Sequence, residues 1–447
     1  MYHSTGEPVL RIAVVGSGIS GLSAAWLLSQ RHNVTLYEQD ERIGGHSNSV
    51  SVPRSSEFVD TGFIVYNELN YPNLTALFKH LNVPTQPAEM SLAISRRSGG
   101  LEYSGTNLSG LFAQPRNIVS RRFWSMLSDL RRFYKNAPLD LPMLAARPIT
   151  LGQYLVENEY GEPFRDDHLL PMAGAIWSSP PHAILDYPAA TFIQFYHNHG
   201  LLKLTDRPAW RTVTGGSRTY VGMLTSSFRN SIRIGTPITQ IKSSEQAVFV
   251  RDATGGIDRF DHVVIATHAD QALGLIVDAT IAERATLEMF RYSRNRAVLH
   301  SDDSFMPRRR AVWSSWNYIE AGEGVCELPT ISYWMNRLQN LRAKQQLFLT
   351  LNPRSEPRDA HCEIHYEHPL LSGAAIAAQK MLWSLQGQRR LWFCGSYFGY
   401  GFHEDGLQAG LAVAEQIDPC CRRPWSVKNE SGRIFARAVS KSPEAVA

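Results

Sequence analysis

The chain has 447 residues, with 45 Lys+Arg against 41 Asp+Glu and a formal net charge of +4; it is 43% hydrophobic and 19% charged. That balance excludes a disordered, collagen-like or coiled-coil chain, and the net charge is too small to argue for nucleic acid as a partner. The length allows two or three ordinary domains and a core large enough to enclose a ligand. Cys326, Cys362, Cys394, Cys420 and Cys421 form no CxxC pair and read as reduced thiols of a cytoplasmic protein. No apolar run approaches the ~18 residues of a membrane-spanning helix.

The stretch from Leu10 to Gly16 is β-branched and apolar and predicts a buried parallel strand. It runs into Gly16-Ser17-Gly18-Ile19-Ser20-Gly21, then a helical run from Leu22 to Gln30, then a second strand from Asn33 to Glu38. This is GxGxxG between a strand and a helix, with an acid 22 residues beyond the first glycine. Each position has a physical task in dinucleotide binding. Gly16 permits the turn, Gly18 lets backbone approach a pyrophosphate, and Gly21 lets helix and strand pack. The helix start offers free N–H groups to the phosphates, and Glu38 can accept from a ribose 2′-OH.

The next residues, Gln39-Asp-Glu-Arg42-Ile43-Gly44-Gly45-His46, complete an ExxxRxGG pattern from Glu38. This resembles the flavin-containing amine oxidase and phytoene desaturase superfamily. The resemblance implies that Gln39, Arg42, Gly44, Gly45 and His46 meet the ribityl–pyrophosphate end of FAD. Asp60-Thr61-Gly62-Phe63-Ile64 resembles that superfamily's D-x-G strand, which would bring Gly62, Phe63 and Ile64 close to the isoalloxazine.

Further along, Thr214 to Tyr220 predicts a turn opening a helix from Tyr220 to Phe228, then strands at 232–234 and 238–241. By resemblance, Ile238 after Pro237 lies near the adenine. A hairpin arm at 247–251 precedes a returning strand, 261–267, that would end with Ala266 near the cofactor. The closing motif is a strand from Leu391, a loop from Gly395 to Glu404, and a helix beginning at Asp405-Gly406-Leu407. The resemblance puts Gly395, Asp405, Gly406 and Leu407 against the flavin and ribityl chain. With Ser315-Trp316-Asn317-Tyr318, Tyr333-Trp334-Met335-Asn336 and Leu351-Asn352-Pro353, it points to a bacterial subgroup of amine-oxidase-like, NAD/FAD-binding proteins and extends from about Leu10 to Ile417. Ser396 stands where many relatives carry an acid, with Asp405 as its replacement, and the family's lysine near N5 has no counterpart. Amine oxidation therefore ranks second to oxidation of a lipid.

Tyr400 and His403 in the closing loop, and Trp316, are the candidates for contact with substrate; His300 and Asp302 are weaker ones. The run from His361 to His368 has the composition of a metal cluster, but in a strand its histidines divide between two faces; no metal is expected. Arg116 to Lys135 reads as one amphipathic basic helix, with Phe123, Leu127, Leu130 and Tyr134 at helical spacing. Such a helix could dock on an anionic membrane face. Arg308-Arg309-Arg310 reads as a surface turn, and residues 422–447 as a disordered tail.

The expected fold is α/β: an FAD-binding, Rossmann-like three-layer domain of residues 8–66, 205–275 and 385–418, interleaved with an α+β substrate domain of residues 67–204 and 276–384. The expected function is FAD-dependent oxidation of a C–H or C–N bond of a small hydrophobic, lipid-like substrate. An amine oxidase and a flavin-dependent isomerase without net redox change are the alternatives.

Overall fold

The computed structural model describes residues 8–53, 57–320 and 328–427. Strand β1 (Arg11–Val15), helix α1 (Ile19–Leu28) and strand β2 (Asn33–Tyr37) follow one another directly. β1 sits inside a five-stranded sheet, ordered Ile232–Arg233, β2, β1, His262–Ile265 and Leu391–Phe393, parallel throughout. Both faces of such a sheet are covered, so its strands are apolar on both sides: Ile12, Ala13 and Val14 are fully buried. The arrangement is Rossmann-like. A three-stranded antiparallel arm, Ile238–Ser243, Val248–Asp252 and Ile257–Phe260, rises between its strands.

Every residue of α1 is buried. The reason is the closing helix, His403–Ile417, which packs across it. A side chain at Gly410 would overlap the Ser20 carbonyl, and one at Gly406 would press on Ser20 and Ile19. Only glycines allow this approach.

The second large sheet has seven strands, ordered Ala360–Pro369, Tyr292–His300, Phe348–Leu351, Thr330–Trp334, Trp316–Ile319, Leu92–Arg96 and Leu101–Ser104. It is antiparallel except where Trp316–Ile319 runs parallel to Leu92–Arg96. An all-helical region between residues 121 and 198 has its own core around Phe133, Phe164, Phe192 and Tyr196.

Several expected elements differ in detail. The Arg116–Lys135 helix is two helices, Arg116–Val119 and Arg121–Asn136. Ser120 breaks it: its backbone is extended and its Oγ accepts from Phe123 N at 3.3 Å, an N-cap. The apolar stripe turns inward, with Phe123, Met126, Phe133 and Tyr134 buried. The helix expected from Tyr220 to Phe228 runs from Arg218 to Thr225. Helix Gly373–Leu382 joins the same core as β1, ahead of the expected return at residue 385. Of the expected tail, residues 422–427 are anchored by two side chains: Trp425 stacks on Trp26 at 5.8 Å, and Arg423 pairs with Glu415 at 2.8 Å. Residues 428–447 and Cys326 lie outside the described residues.

Candidate functional site

A cavity of about 1040 Å³ opens where the carboxyl ends of β1, β2 and the His262–Ile265 strand face the second sheet. Two groups of residues line it. The first comes from the Rossmann-like side: Val15 to Ser20, Tyr37 to Asp40, Arg42, Gly45, His46, Thr61 to Val65, Ile238, and Ala266 to His268. The second is mostly aromatic and apolar: Met90, Trp177, Phe195, Trp210, Trp316, Tyr333, Leu349, Leu351 and Tyr400.

The first group forms a cradle. Gly16 turns at φ +102°, a conformation that favours glycine, and donates its N–H to the Tyr37 carbonyl at 2.9 Å. A side chain at Gly21 would overlap the Gly16 carbonyl oxygen, whereas one at Gly18 would meet nothing within 4 Å. Gly18 thus presents bare backbone to open space at the N-terminus of α1, where amides without intrahelical acceptors and the helix dipole favour an anion. Glu38 is buried, and its Oε2 accepts from Ser17 N at 2.9 Å and from the Ser17 hydroxyl. Its Oε1 accepts from Asp40 N at 3.0 Å. The carboxylate is therefore fixed at the cavity edge. Arg42 donates to the Gly45 carbonyl at 2.8 Å, and Gly44 N donates to the Ser17 carbonyl at 3.0 Å, which ties the second glycine loop to the first. A side chain at Gly62 would collide with the His46 backbone, so Gly62 lets the Thr61–Val65 segment close on that loop.

Burial disfavours the charged form of three lining histidines, His46, His368 and His403. Burial lowers His46 well below its ordinary value and brings His368 down to about 4. Their rings lie 5.6 Å apart, with Tyr366 4.9 Å from His46. His403 is pushed down to about 3 by burial, stacks on Phe63 at 3.9 Å, and shares a 2.7 Å hydrogen bond between its Nε2 and the Tyr220 hydroxyl. Ser47 Oγ completes this chain against Tyr220. Asp60 sits behind the wall, raised to about 6 by burial against the hydrogen bonds of Ser49, Ser217 and Gln339.

Most of the cofactor-binding positions expected from sequence line this cavity: Gly16, Ser17, Gly18, Ile19, Ser20, Glu38, Gln39, Arg42, Gly45, His46, Gly62, Phe63, Ile64, Ile238, Ala266 and Gly395. So do Tyr400, His403 and Trp316. Gly21, Gly44, Asp405, Gly406 and Leu407 are not in the lining. The closing helix starts at His403, two residues before the expected Asp405. Asp405 is therefore its third residue, and its Oδ2 accepts from Tyr400 N and Phe402 N, each at 3.0 Å. It shapes the loop instead of facing the cavity. His300 and Asp302 are also outside the lining; Asp302 is held by Arg358 at 2.8 Å. Trp177 and Phe195 were not foreseen, being ordinary apolar residues of a helix with no local signal; Tyr333 stood in a motif of the resemblance without a role assigned to it. His268 and His368 are brought in by strand ends.

The residues present fit FAD. Gly16 to Ser20 would hold its pyrophosphate, Glu38 a ribose, and Ile238 the adenine side. The buried Tyr397 hydroxyl, in the wall beyond Gly395, has no partner among the described residues and offers a donor to a ligand.

Comparison with known proteins gives the same answer. The family model described as flavin containing amine oxidoreductase matches residues 19–337. A protoporphyrinogen oxidase 2 from Arabidopsis thaliana is 56% identical over 41 residues, 9% of this chain and 8% of that protein. An L-amino-acid oxidase from Pseudechis australis is 43% identical over 53 residues, 12% of this chain and 10% of that one. The chain thus matches these curated relatives over about a tenth of their length or less. Among solved structures, a fatty acid isomerase from P. acnes shares the fold with TM-score 0.65 at 13% identity, over 92% of this chain and 98% of that one. A cyclohexylamine oxidase from Brevibacterium oxydans has TM-score 0.64 at 16% identity, over 92% of this chain and all of the other. The chain belongs to the family of flavin containing amine oxidoreductases.

Proposed function

We propose that this enzyme oxidises a C–H bond of an uncharged, apolar, lipid-like substrate. The observation that carries the reading is the chemistry of the aromatic half of the cavity. The carboxylates in the lining are Glu38, Asp40 and Glu367. Glu38 is engaged by Ser17, and Glu367 pairs with Arg294 at 2.9 Å. With Glu38 and Asp40 on the Rossmann-like side and Glu367 shared between Arg294 and His268, a substrate ammonium among Trp177, Phe195, Trp316, Tyr333 and Tyr400 would lose its hydration without a free counter-ion. An apolar chain loses nothing by entering. The indole N–H groups of Trp177 and Trp316 are buried without partners among the described residues. They would suit a substrate carrying a hydrogen-bond acceptor, such as an acyl carbonyl or carboxylate. The fatty acid isomerase among the structural relatives supports the same class.

In this reading residues 8–66, 205–275 and 385–418 hold FAD, which supplies the two-electron acceptor. Trp316 and Tyr400 orient the chain and exclude water, which is positioning catalysis. His403, neutral by burial, stacked on Phe63 and tied through Nε2 to the Tyr220 hydroxyl, holds the shape of the wall without placing a charge in it. Anaerobic titration of the yellow holoenzyme tests the proposal. Bleaching of the flavin by fatty acids or acyl esters, and not by aliphatic amines, is expected. Bleaching by amines alone would overturn it. Double-bond migration only after chemical reduction, with no oxidised product, would replace oxidation by isomerisation.

A further inference from the structure

We propose that the face formed by residues 107–124 together with the Arg308–Arg310 turn docks the enzyme on an anionic phospholipid bilayer. The inward-turned stripe of helix Arg121–Asn136 leaves that role to its first turn and to the short helices before it. Leu108 is 75% exposed, Ile118 53%, Val119 81% and Trp124 50%. Single exposed apolar side chains are ordinary, but these form one surface. Trp124 donates its indole N–H to the Ile118 carbonyl at 2.8 Å and packs on Phe112 at 5.8 Å, where helix Leu108–Leu111 ends. That helix in turn contacts the turn Arg310–Val312.

The charges around the patch select the partner. Arg116, Arg121 and Arg308 are exposed, and their guanidinium groups have no carboxylate partner among the described residues. The neighbouring carboxylates are occupied. Asp167 is taken by Arg96, Arg97 and Arg122, Glu102 by Arg309, and Asp303 lies 3.6 Å from Arg310. Apolar side chains and a tryptophan rimmed by unpaired arginines match a headgroup boundary: the apolar groups enter the acyl edge and the guanidinium groups meet lipid phosphates. A second copy of the chain would bring the same positive rim against itself. The surface lies beyond edge strand Leu101–Ser104 of the sheet whose Trp316 and Tyr333 line the cavity. The docking claim does not depend on which substrate is oxidised.

Co-sedimentation of the full-length holoenzyme with vesicles tests it. Binding to phosphatidylcholine mixed with phosphatidylglycerol, weakened by salt, and little binding to phosphatidylcholine alone are expected. Leu108→Glu with Val119→Glu, and separately Arg116→Glu with Arg121→Glu, should each reduce partitioning by about tenfold or more while flavin content stays unchanged. Brominated lipids should quench the wild type more than Trp124→Phe, which reads insertion at the patch even where a charged variant fails to fold. Equal binding to both vesicle types, retained binding by both double variants, equal quenching of wild type and Trp124→Phe, or a dimer lost with these substitutions would each overturn the proposal.

Discussion

Two glycines of one motif do unrelated work, and substitution separates them. Gly18 has ordinary backbone angles and open space where a side chain would go, whereas a side chain at Gly21 would run into the Gly16 carbonyl. Gly18→Val should therefore fold but fail to retain flavin, seen as a colourless protein with near-wild-type urea midpoint. Gly21→Ala should lose about 1–3 kcal/mol of stability through overpacking, read by urea unfolding, with colour retained in whatever remains folded. Loss of fold in the first or full stability in the second would contradict the assignment. Both roles were legible in the sequence because they are local: a strand, a turn and a helix set them within a few residues. Asp405 was less legible. Its position was clear, but a two-residue error in the helix start moved it from cavity wall to capping residue. His403 took the place in the cavity wall instead.

Elements are held to one another by single side chains that no periodicity reveals. Glu404, next to His403, points away from the cavity and caps helix Pro72–His80: its carboxylate accepts from Asn73 N and Leu74 N, both at 2.9 Å. Gln408 and the Asn73 side chain add further donors at 3.0 Å. Asn73 then receives Arg423 and Trp425 from the C-terminal segment, which is why residues expected in a tail are anchored. Glu404→Ala should leave two buried N–H groups unpaired and cost about 2–3 kcal/mol. The measurement is chemical denaturation of the holoenzyme; an unchanged midpoint would mean that water replaces the carboxylate. The sequence predicted the closing helix but offered no reading of Pro72–His80. It did not predict the cap, because its two halves are more than 300 residues apart. The break at Ser120 was readable in principle, since serine is a strong N-cap and the apolar spacing begins only at Phe123, but the basic residues on both sides of it, Arg116 and Arg121, were read as one helix.

At the scale of the whole molecule, the Rossmann-like sheet was legible from its strand–turn–helix units, while the seven-strand sheet was not. Its Trp316–Ile319 and Leu92–Arg96 strands pair across more than 200 residues, and short apolar strands carry no mark of their partners. What joins the regions is a set of buried rings, and these predict how the protein responds to acid. Burial holds His168, His300 and His368 down to about 4 and His403 down to about 3. In an unfolded chain each would titrate near 6.5. Between about pH 6.5 and 4 the unfolded chain therefore binds protons that the folded protein refuses, and stability falls as the pH falls. Asp60 acts in the opposite sense. Its carboxyl, raised to about 6 by burial, keeps a proton in the fold that the unfolded chain releases above about 4, so acid favours the fold at that position. The lowered rings, His46 among them, outnumber the two carboxyls that burial raises, Asp60 and Glu404. The unfolding free energy of the holoenzyme, measured in urea at a series of pH values, should be greatest above pH 6.5. Below it, the decline should steepen to at most about 1.4 kcal/mol per pH unit for each ring, less the contribution of the two carboxyls. A flat profile from pH 7 to 4.5 would mean that the rings accept protons within the fold.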